Sequence, residues 1–358
     1  MIIREAISTD NTQLVQLTAQ TPMGGAVGLR IDRRPDFFGL LTERGSFAVW
    51  VAEDDYGEIA GSFSFTKQSF IIHGERRSVF YLGDLKIHPR HKGSTLAFRL
   101  VKEMYRQLVK EDADLLFCTA AQDNDSVMDF FKGRAGIPSF QPLANFMLYQ
   151  MIPHRLSSTG HYHSSIAGVT ITRYSTTDDA PGLAGFYNRF YSEHSFYPSI
   201  RNINGCTHFV TKEGRTVTAA ISVFDPFSWK QSVLLHYPAP TAVALAALRV
   251  LRLFLPLPPI PGKAAAVKVL YVKYFGWADG HSGAFLTLLR QVRHFAFENQ
   301  YHLVTIAIDE KDKALRKLIR PRSRFVFRSE GWMTSLKGNR SLVDAISQGL
   351  VYEDFSLL

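Results

Sequence analysis

The stretch LKIHPRHKGSTLAFRL, residues 85–100, indicates a strand that turns sharply into a helix. Pro89 ends the strand, and a basic turn of small residues follows it. From Ser94 to Val109, apolar residues recur at helical spacing and give one apolar face. Because the first turn of a helix carries unpaired N–H groups and a partial positive charge, it favours anions. The sequence therefore predicts a phosphate-binding turn.

Strands and turns around this stretch predict a mixed α/β domain. Ser46 to Ala52, Ile59 to Phe70 and Phe80 to Ile87 have the pattern of successive strands, the first two joined by a hairpin turn at Gly57–Gly61. Leu115 to Ala120 follows the helix as the next strand, which predicts a parallel pair with a right-handed crossover.

The opening pattern of the chain recurs later in the sequence, which predicts a tandem repeat. The opening IREAISTDN aligns with ITRYSTTDD, so that Arg4 pairs with Arg173 and Asp10 with Asp179 at a common offset. We therefore expect a first domain at 1–150, a polar linker at 151–167 rich in Ser, Gly and His, and a second domain at 168–358. A length of 358 residues fits two domains.

The turn resembles the pyrophosphate loop of the GCN5-related N-acetyltransferase (GNAT) family, Q/R-x-x-G-x-G/A, with Arg90, Gly93 and Thr95 in the three defining positions. A later stretch from Asn124 to Phe131, followed by Gly136, is similar to the family's N-x-x-A-x-x-x-Y then G-F element. The resemblance implies two tandem GNAT-like acyl-CoA N-acyltransferase domains, the second one degenerate. It implies acetyl-CoA or another acyl-CoA as co-substrate, no metal, and direct attack by an amine on the thioester. The residues expected to bind the cofactor are Leu85, Lys86, Ile87, Arg90, His91, Lys92, Gly93, Ser94, Thr95, Asn124 and Phe131.

The catalytic acid is the open question, because Phe131 stands where the family frequently has a tyrosine that protonates the leaving thiolate. Water, Tyr149 or Cys118 could take that role. Asp84, just before the cofactor-binding end of the strand, is the candidate base, with an ordinary hydrogen-bonded carboxylate as the competing interpretation.

The second half keeps the outline of this site without its charge. Asp279, Gly280 and His281 stand where the first half has Arg90, His91 and Lys92, and Asp279 would repel a phosphate. This pattern predicts that the second half has lost ordinary coenzyme A binding.

Arginines near the start of the chain bear on the acceptor. Arg30, Arg33 and Arg34 could attract an acidic acceptor, although exposed solubilising charge is the favoured interpretation. A peptide or small-molecule amine is the expected acceptor. The net charge of +9 suits anionic partners in general, but we find no run of Lys/Arg interleaved with aromatics to indicate a nucleic-acid surface. An aminoacyl-tRNA or acyl carrier as donor, and a non-catalytic acyl-CoA-binding module, remain as alternatives.

Location follows from two further features. Two widely separated cysteines and an N-terminus without the pattern of a secretion signal favour the cytoplasm. The most apolar segment, Thr241 to Pro258, is too short and too interrupted to span a bilayer. A buried or lid helix is the favoured interpretation of this segment, with a membrane-surface helix as the alternative.

Overall fold

A single mixed sheet forms the centre of the computed structural model, which describes residues 1–21, 28–122, 132–133, 138–156, 169–174, 182–201, 203–236, 239–252, 254, 256–262 and 264–358. The strands are β1 Ile2–Glu5, β2 Gly28–Asp32, β3 Ser46–Glu53, β4 Ile59–Ile72, β5 Glu75–Ile87, β6 Leu115–Ala121, β7 Gln141–Met151, β8 Val169–Tyr174, β9 Phe196–Pro198, β10 Cys206–Glu213, β11 Thr216–Phe224, β12 Gln231–His236, β13 Ala266–Val267, β14 Val269–Trp277, β15 Leu303–Asp309 and β16 Phe325–Ser335. The helices are α1 Asn11–Gln20, α2 Gly39–Arg44, α3 Leu96–Lys110, α4 Leu183–Phe190, α5 Ala239–Leu251, α6 Ser282–Glu298, α7 Lys313–Ile319 and α8 Arg340–Gln348.

The strand order of this sheet is symmetric about its centre. The order is β1-β3-β4-β5-β6-β16-β7-β15-β14-β11-β10-β8, with β9 paired to β4. Each half contains one parallel pair at the same place, β5 with β6 and β14 with β15, and the central strands β16 and β7 are antiparallel. This arrangement is the tandem, mixed α/β repeat that the sequence predicts.

The two halves interlock at the centre of the sheet. β16, close to the C-terminal end of the chain, lies between β6 and β7 of the first half and pairs with both. β7 in turn pairs with β15 of the second half. A fragment that ends at residue 150 would therefore lack β16, the strand that lies between its own strands β6 and β7.

The two faces of the β4–β5 hairpin differ in chemistry. Phe63 and Phe65 belong to an apolar core cluster that also contains Leu96 and Leu100 of α3. The intervening residues Ser62, Ser64 and Thr66 are buried polar side chains. Because side chains alternate along a strand, these residues line the opposite face of the sheet.

The second half reaches over this polar face with an insertion between β11 and β14. In it, β12 pairs with β13 and also with β2, which belongs to the first half. The C-terminal segment 351–357 is buried, and it joins α2 through the ion pair of Glu353 with Arg44. Elements of both halves therefore enclose the polar face of β4 and β5.

The expectation for Thr241 to Pro258 is wrong in one respect. A helix does form there, but its described side chains from Ala246 to Leu251 are all exposed, and no described residue of α5 belongs to a core cluster. Among the described residues, no helix is both long and apolar enough to cross a membrane.

Candidate functional site

The predicted anion-binding turn is present between β5 and α3. Pro89–His91 form a 3-10 turn, and Gly93 has a φ of +83°, which L side chains rarely adopt. The Ser94 hydroxyl donates to the His91 carbonyl and accepts from the backbone N–H of Leu96. Within the described part of the chain, the N–H groups of Gly93 and Thr95 have no acceptor. The turn therefore offers main-chain donors at the start of a 15-residue helix.

The positive charge of this turn is accessible. Arg90 is exposed and lies 3.1 Å from Glu58 of the β3–β4 hairpin, also exposed. Because exposed ion pairs contribute little, an incoming pyrophosphate can replace Glu58 as the partner of Arg90 at small cost. Lys92 is exposed too, and no carboxylate of the described residues pairs with it.

A gap opens in the sheet directly below the turn. The parallel pairing of β5 with β6 covers only Val79–Leu115, Phe80–Leu116 and Tyr81–Phe117. Beyond Tyr81, β5 continues to Ile87 with one edge unpaired, while β6 diverges. An extended, amide-containing chain can add to such an edge by main-chain hydrogen bonds.

β5 also contains a bulge at the level of this gap. Ser62 pairs with Lys86 and Ser64 with Gly83, so Phe63 faces both Asp84 and Leu85. Asp84 has a φ of +50°, an uncommon conformation for a residue other than glycine. A bulge re-aims backbone groups, which supports a special role for the N–H groups of Leu85 to Ile87.

The candidate base Asp84 is held in a buried ion pair. Its carboxylate accepts hydrogen bonds from Arg33 at 3.0 and 3.1 Å and from the Ser64 hydroxyl at 2.9 Å. Burial acts to raise the pKa of Asp84, but the charges of Arg33 and Lys86 and the bond from Ser64 outweigh it and leave the pKa below its ordinary value. Asp84 is therefore an ionised carboxylate with reduced basicity.

Two residues near Asp84 were missed as side-chain candidates in the sequence. Burial lowers the pKa of Lys86, although Asp84 opposes this effect. The Tyr81 hydroxyl lies 2.9 Å from that of Thr119 and so bridges β5 and β6 where their pairing ends, while burial raises the pKa of Tyr81 to about 12. The alternation Ser62, Phe63, Ser64 in the sequence was the available signal for a polar-lined face.

The proposed substitutes for the missing tyrosine lie elsewhere. Tyr149 is fully buried in the core cluster of the second half, and its hydroxyl donates to the sulfur of Met147. Cys118 belongs to the core cluster beneath α3, and burial raises the pKa of its thiol. Neither side chain faces the gap between β5 and β6. Asn124, Phe131 and Gly136 lie outside the described residues.

The arginine next to Asp84 corrects another expectation. Arg33 is not a solubilising surface charge, because its side chain is only 7% exposed. Its Nη2 binds Asp84, whereas its Nη1 is buried and has no hydrogen-bond partner among the residues that the structure describes. Arg30 and Arg34 pair with Asp32. A buried unpaired guanidinium nitrogen is costly, and it is satisfied when a ligand supplies an acceptor.

The corresponding turn of the second half differs in charge and in its surroundings. Gly280 has a φ of +76°, and α6 follows as α3 follows Gly93. The flanking Asp279 is exposed, and His281 lies 3.3 Å from Glu213. On β14, the carbonyl of Lys273 accepts a hydrogen bond from the hydroxyl of Tyr352, which belongs to the C-terminal segment.

A basic surface on the second half was also missed in the sequence. Residues 320–328, RPRSRFVFR, interleave arginines with aromatics, so the expectation that the chain lacks such a run is wrong. Phe325 and Phe327 are exposed at the start of β16. Together with α7, this segment lines a cavity through Lys313, Arg316, Lys317 and Arg320.

Comparison with known proteins identifies the class. Residues 18–136 match the model of the acetyltransferase (GNAT) family, a range that contains the turn, the bulge and the gap. The structure is similar to that of Saccharomyces cerevisiae N-myristoyltransferase with bound myristoyl-CoA, with a TM-score of 0.60 and 9% identity over 93% of this chain and 78% of that one. A second structure of this yeast enzyme, with myristoyl-CoA and inhibitors, has a TM-score of 0.59 and 10% identity over 93% and 80%. No curated protein sequence matches this chain.

These findings define a protein with two tandem GNAT-like folds, in which residues 18–136 of the first half match the acetyltransferase (GNAT) family. The chain is an acyltransferase that transfers an acyl group from acyl-CoA to an amine. The similarity to N-myristoyltransferase, at this level of identity, concerns the fold.

Proposed function

We propose that acyl-CoA binds only to the first half, with its pyrophosphate on the turn from Arg90 to Thr95. Its pantetheine arm then extends along the unpaired edge of β5, and the thioester lies at the bulge. The observation that carries the proposal is that the β5–β6 pairing stops at Tyr81 while β5 runs on through Asp84 to that turn. We keep 1–150 and 168–358 as the sequence boundaries of the two domains, with β16 contributed to the first one by the second.

The chemistry follows from the groups around the bulge. Backbone N–H groups of Leu85 to Ile87 polarise the thioester carbonyl as negative charge develops on its oxygen. The amine attacks this carbon directly, so the C–N bond forms as the C–S bond breaks and no acyl-enzyme is required. The Asp84 carboxylate positions the ammonium form of the acceptor, but its lowered pKa makes it a weak proton acceptor even through water. Lys86, whose pKa is lowered by burial, is the better candidate for the base.

The leaving thiolate needs a proton, and Tyr81 is placed to provide it. Its hydroxyl lies at the point where β5 and β6 separate and remains protonated at neutral pH. Water is the alternative donor. Neither Tyr149 nor Cys118 has access from its place in a core cluster.

The acceptor we propose is an amine that also carries a carboxylate, such as an amino acid or a peptide. The buried Nη1 of Arg33, which has no partner in the described part of the chain, provides the carboxylate-binding group beside Asp84. Lys230 lies nearby but carries only part of a positive charge at neutral pH, because burial and then the charges of Arg33 and Arg44 lower its pKa to about 7. We place the protein in the cytoplasm, since Cys118 and Cys206 are both unpaired.

Hydrogen–deuterium exchange of the full chain with and without coenzyme A tests the donor site. We expect protection in peptides that cover residues 82–97 and none in peptides that cover 273–284. Protection of the second region, or of neither, would contradict the proposal. A panel of acetyl-CoA and longer acyl-CoAs with amino acid and peptide acceptors, with thiol release as the readout, then gives the acyl length and the acceptor.

A donor carried on tRNA is a second candidate, favoured by the basic surface at residues 320–328. Arg320 and Arg324 have no ion-pair partner among the described residues, and Phe325 and Phe327 provide stacking faces next to them. Mobility shift with total tRNA tests it, with Arg320→Gln/Arg324→Gln as the variant. Salt-sensitive binding that this variant loses would support a tRNA-borne donor, whereas the absence of binding would remove the candidate.

A further inference from the structure

Helix α5 and the turn after it carry apolar side chains on their outer surface. The exposed fractions are 70% for Val243, 36% for Leu248, 58% for Val250, 45% for Leu251 and 79% for Phe254. A soluble domain usually buries such side chains, and a contiguous exposed apolar surface marks an interaction site.

The orientation of this helix is the reverse of that of an ordinary surface helix. Arg249 donates to the carbonyl of Pro261, and Arg252 donates to Oε1 of Gln300, so the arginine side of the helix contacts neighbouring segments of the protein while both arginines stay exposed. Val243, Val250 and Phe254 are separated by seven and four residues, which places them on one stripe. This apolar stripe, Val243–Val250–Phe254, points away from the body of the protein.

The charges around the stripe identify the kind of partner. From Pro226 to Ala278 the sequence contains no Asp or Glu, although the whole chain has 32 of these residues. Six cations lie in the same range of sequence. Lys230 and Lys273 are buried, whereas Arg249 and Arg252 are exposed on α5 and the turn after it, and Lys263 and Lys268 follow them in the sequence. An apolar stripe in an acid-free, cationic segment is complementary to an anionic lipid surface.

We propose that α5 is an interfacial helix, which lies in the headgroup region of an anionic bilayer with its apolar stripe inserted. A span is not involved, because 13 residues extend only about 20 Å and a span needs about 30 Å. A second copy of the chain is a poor partner. Two such cationic segments repel, and one stripe of this length buries far less than the roughly 800 Å² per partner of a stable interface.

This proposal is independent of the acyl-transfer site, although the geometry relates them. α5 lies between β12 and β13, and β12 pairs with β2 directly before Arg33. A bilayer bound to α5 therefore lies on the side of the molecule that carries the insertion.

Co-sedimentation of the full chain with lipid vesicles tests the proposal. One set of vesicles is pure phosphatidylcholine and the other also contains phosphatidylglycerol. We expect binding to the anionic vesicles, a decrease at raised salt, and weak binding to the neutral ones. Val250→Glu should reduce the partition coefficient roughly tenfold or more, because one inserted valine is lost and a like charge is added.

Val109→Glu is the matched control, since Val109 is also a helical valine near a helix end and is 53% exposed, but lies on α3. Both variants should keep the melting temperature of the wild type. Failure of the wild type to bind anionic vesicles, or equal binding by Val250→Glu, would overturn the proposal. Light scattering that shows a dimer dissolved by Val250→Glu, with no vesicle binding, would assign the stripe to a second copy and would also overturn it.

Discussion

Removal of one partner from the Arg33–Asp84 pair tests whether this buried charge network holds the candidate site together. The two side chains are 7% and 12% exposed and are joined at 3.0 Å. Loss of one member of such a pair leaves an uncompensated buried charge, at a cost of about 3–5 kcal/mol. Ser64 and Lys86 still compensate Asp84 in part, so we expect about 3 kcal/mol for Arg33→Met.

The double variant Arg33→Met/Asp84→Asn should recover much of this loss, because both buried charges are then absent. Denaturant unfolding at neutral pH, followed by tryptophan fluorescence, provides the free energies of unfolding. The exposed pair Arg77–Glu75 is the matched control, and Arg77→Met should change stability by less than about 0.5 kcal/mol. Activity should not recover in the double variant, since both proposed acceptor contacts are missing.

Acid provides a second measurement of the same pair. Because the folded-state pKa of Asp84 is below its ordinary value of 3.8, its ionised form stabilises the fold at higher pH, and this contribution is lost as the pH falls below about 4. Asp84→Asn should lack this contribution. Two results would refute the reasoning. One is a loss of less than about 1 kcal/mol in the free energy of unfolding for Arg33→Met, and the other is a double variant that loses more than the two single variants lose together.

Three other predictions concern the polar face and the interlocked sheet. Burial raises the pKa of Glu353 to about 7, so the folded state holds an extra proton between about pH 4.5 and 7. The stability of the fold therefore declines as the pH rises through that window, and Glu353→Gln should flatten this decline in thermal unfolding. Gly331→Ala on β16 would place a Cβ 2.8 Å from the ring of Phe146 and should cost about 1–3 kcal/mol, whereas Gly283→Ala, with open space around it, should be neutral or stabilising. Tyr81→Phe should lower kcat with an unchanged coenzyme A Kd, and an unchanged kcat would assign the thiolate proton to water.

The local elements could be predicted because their signals are local. Pro89, Gly93 and the apolar face from Leu96 onward define the strand, turn and helix within 16 residues, and the structure has all three. In the first copy of the repeated start, Arg4 binds the carboxylate of Asp10 at 2.7 Å and so ties the first strand to the following helix, while Asp179 of the second copy lies outside the described residues. Such contacts within a few residues leave a pattern that one sequence can show.

The interlock and the polar face could not be predicted in this way. β16 pairs with β6 across about 200 residues, and nothing in FVFRSEGWMTS specifies that partner. Arg33 lies in a stretch whose basic residues are typical of an exposed loop, and only the folded structure brings it next to Asp84. The sequence places Tyr149 on a strand after the candidate site but does not show which face of the sheet its side chain occupies. In the structure that side chain lies in the core cluster of the second half.

Calorimetric titration of coenzyme A into the intact chain tests the central claim most directly. We expect one molecule per chain. Gly93→Asp should lower the affinity by roughly 1–3 kcal/mol, or about 5- to 150-fold, from one negative charge about 5 Å from a pyrophosphate. Gly93→Asn is the control, because the space around Gly93 is open and both substitutions meet the same φ of +83°. Wild-type affinity in Gly93→Asp, or two molecules bound per chain, would contradict the account.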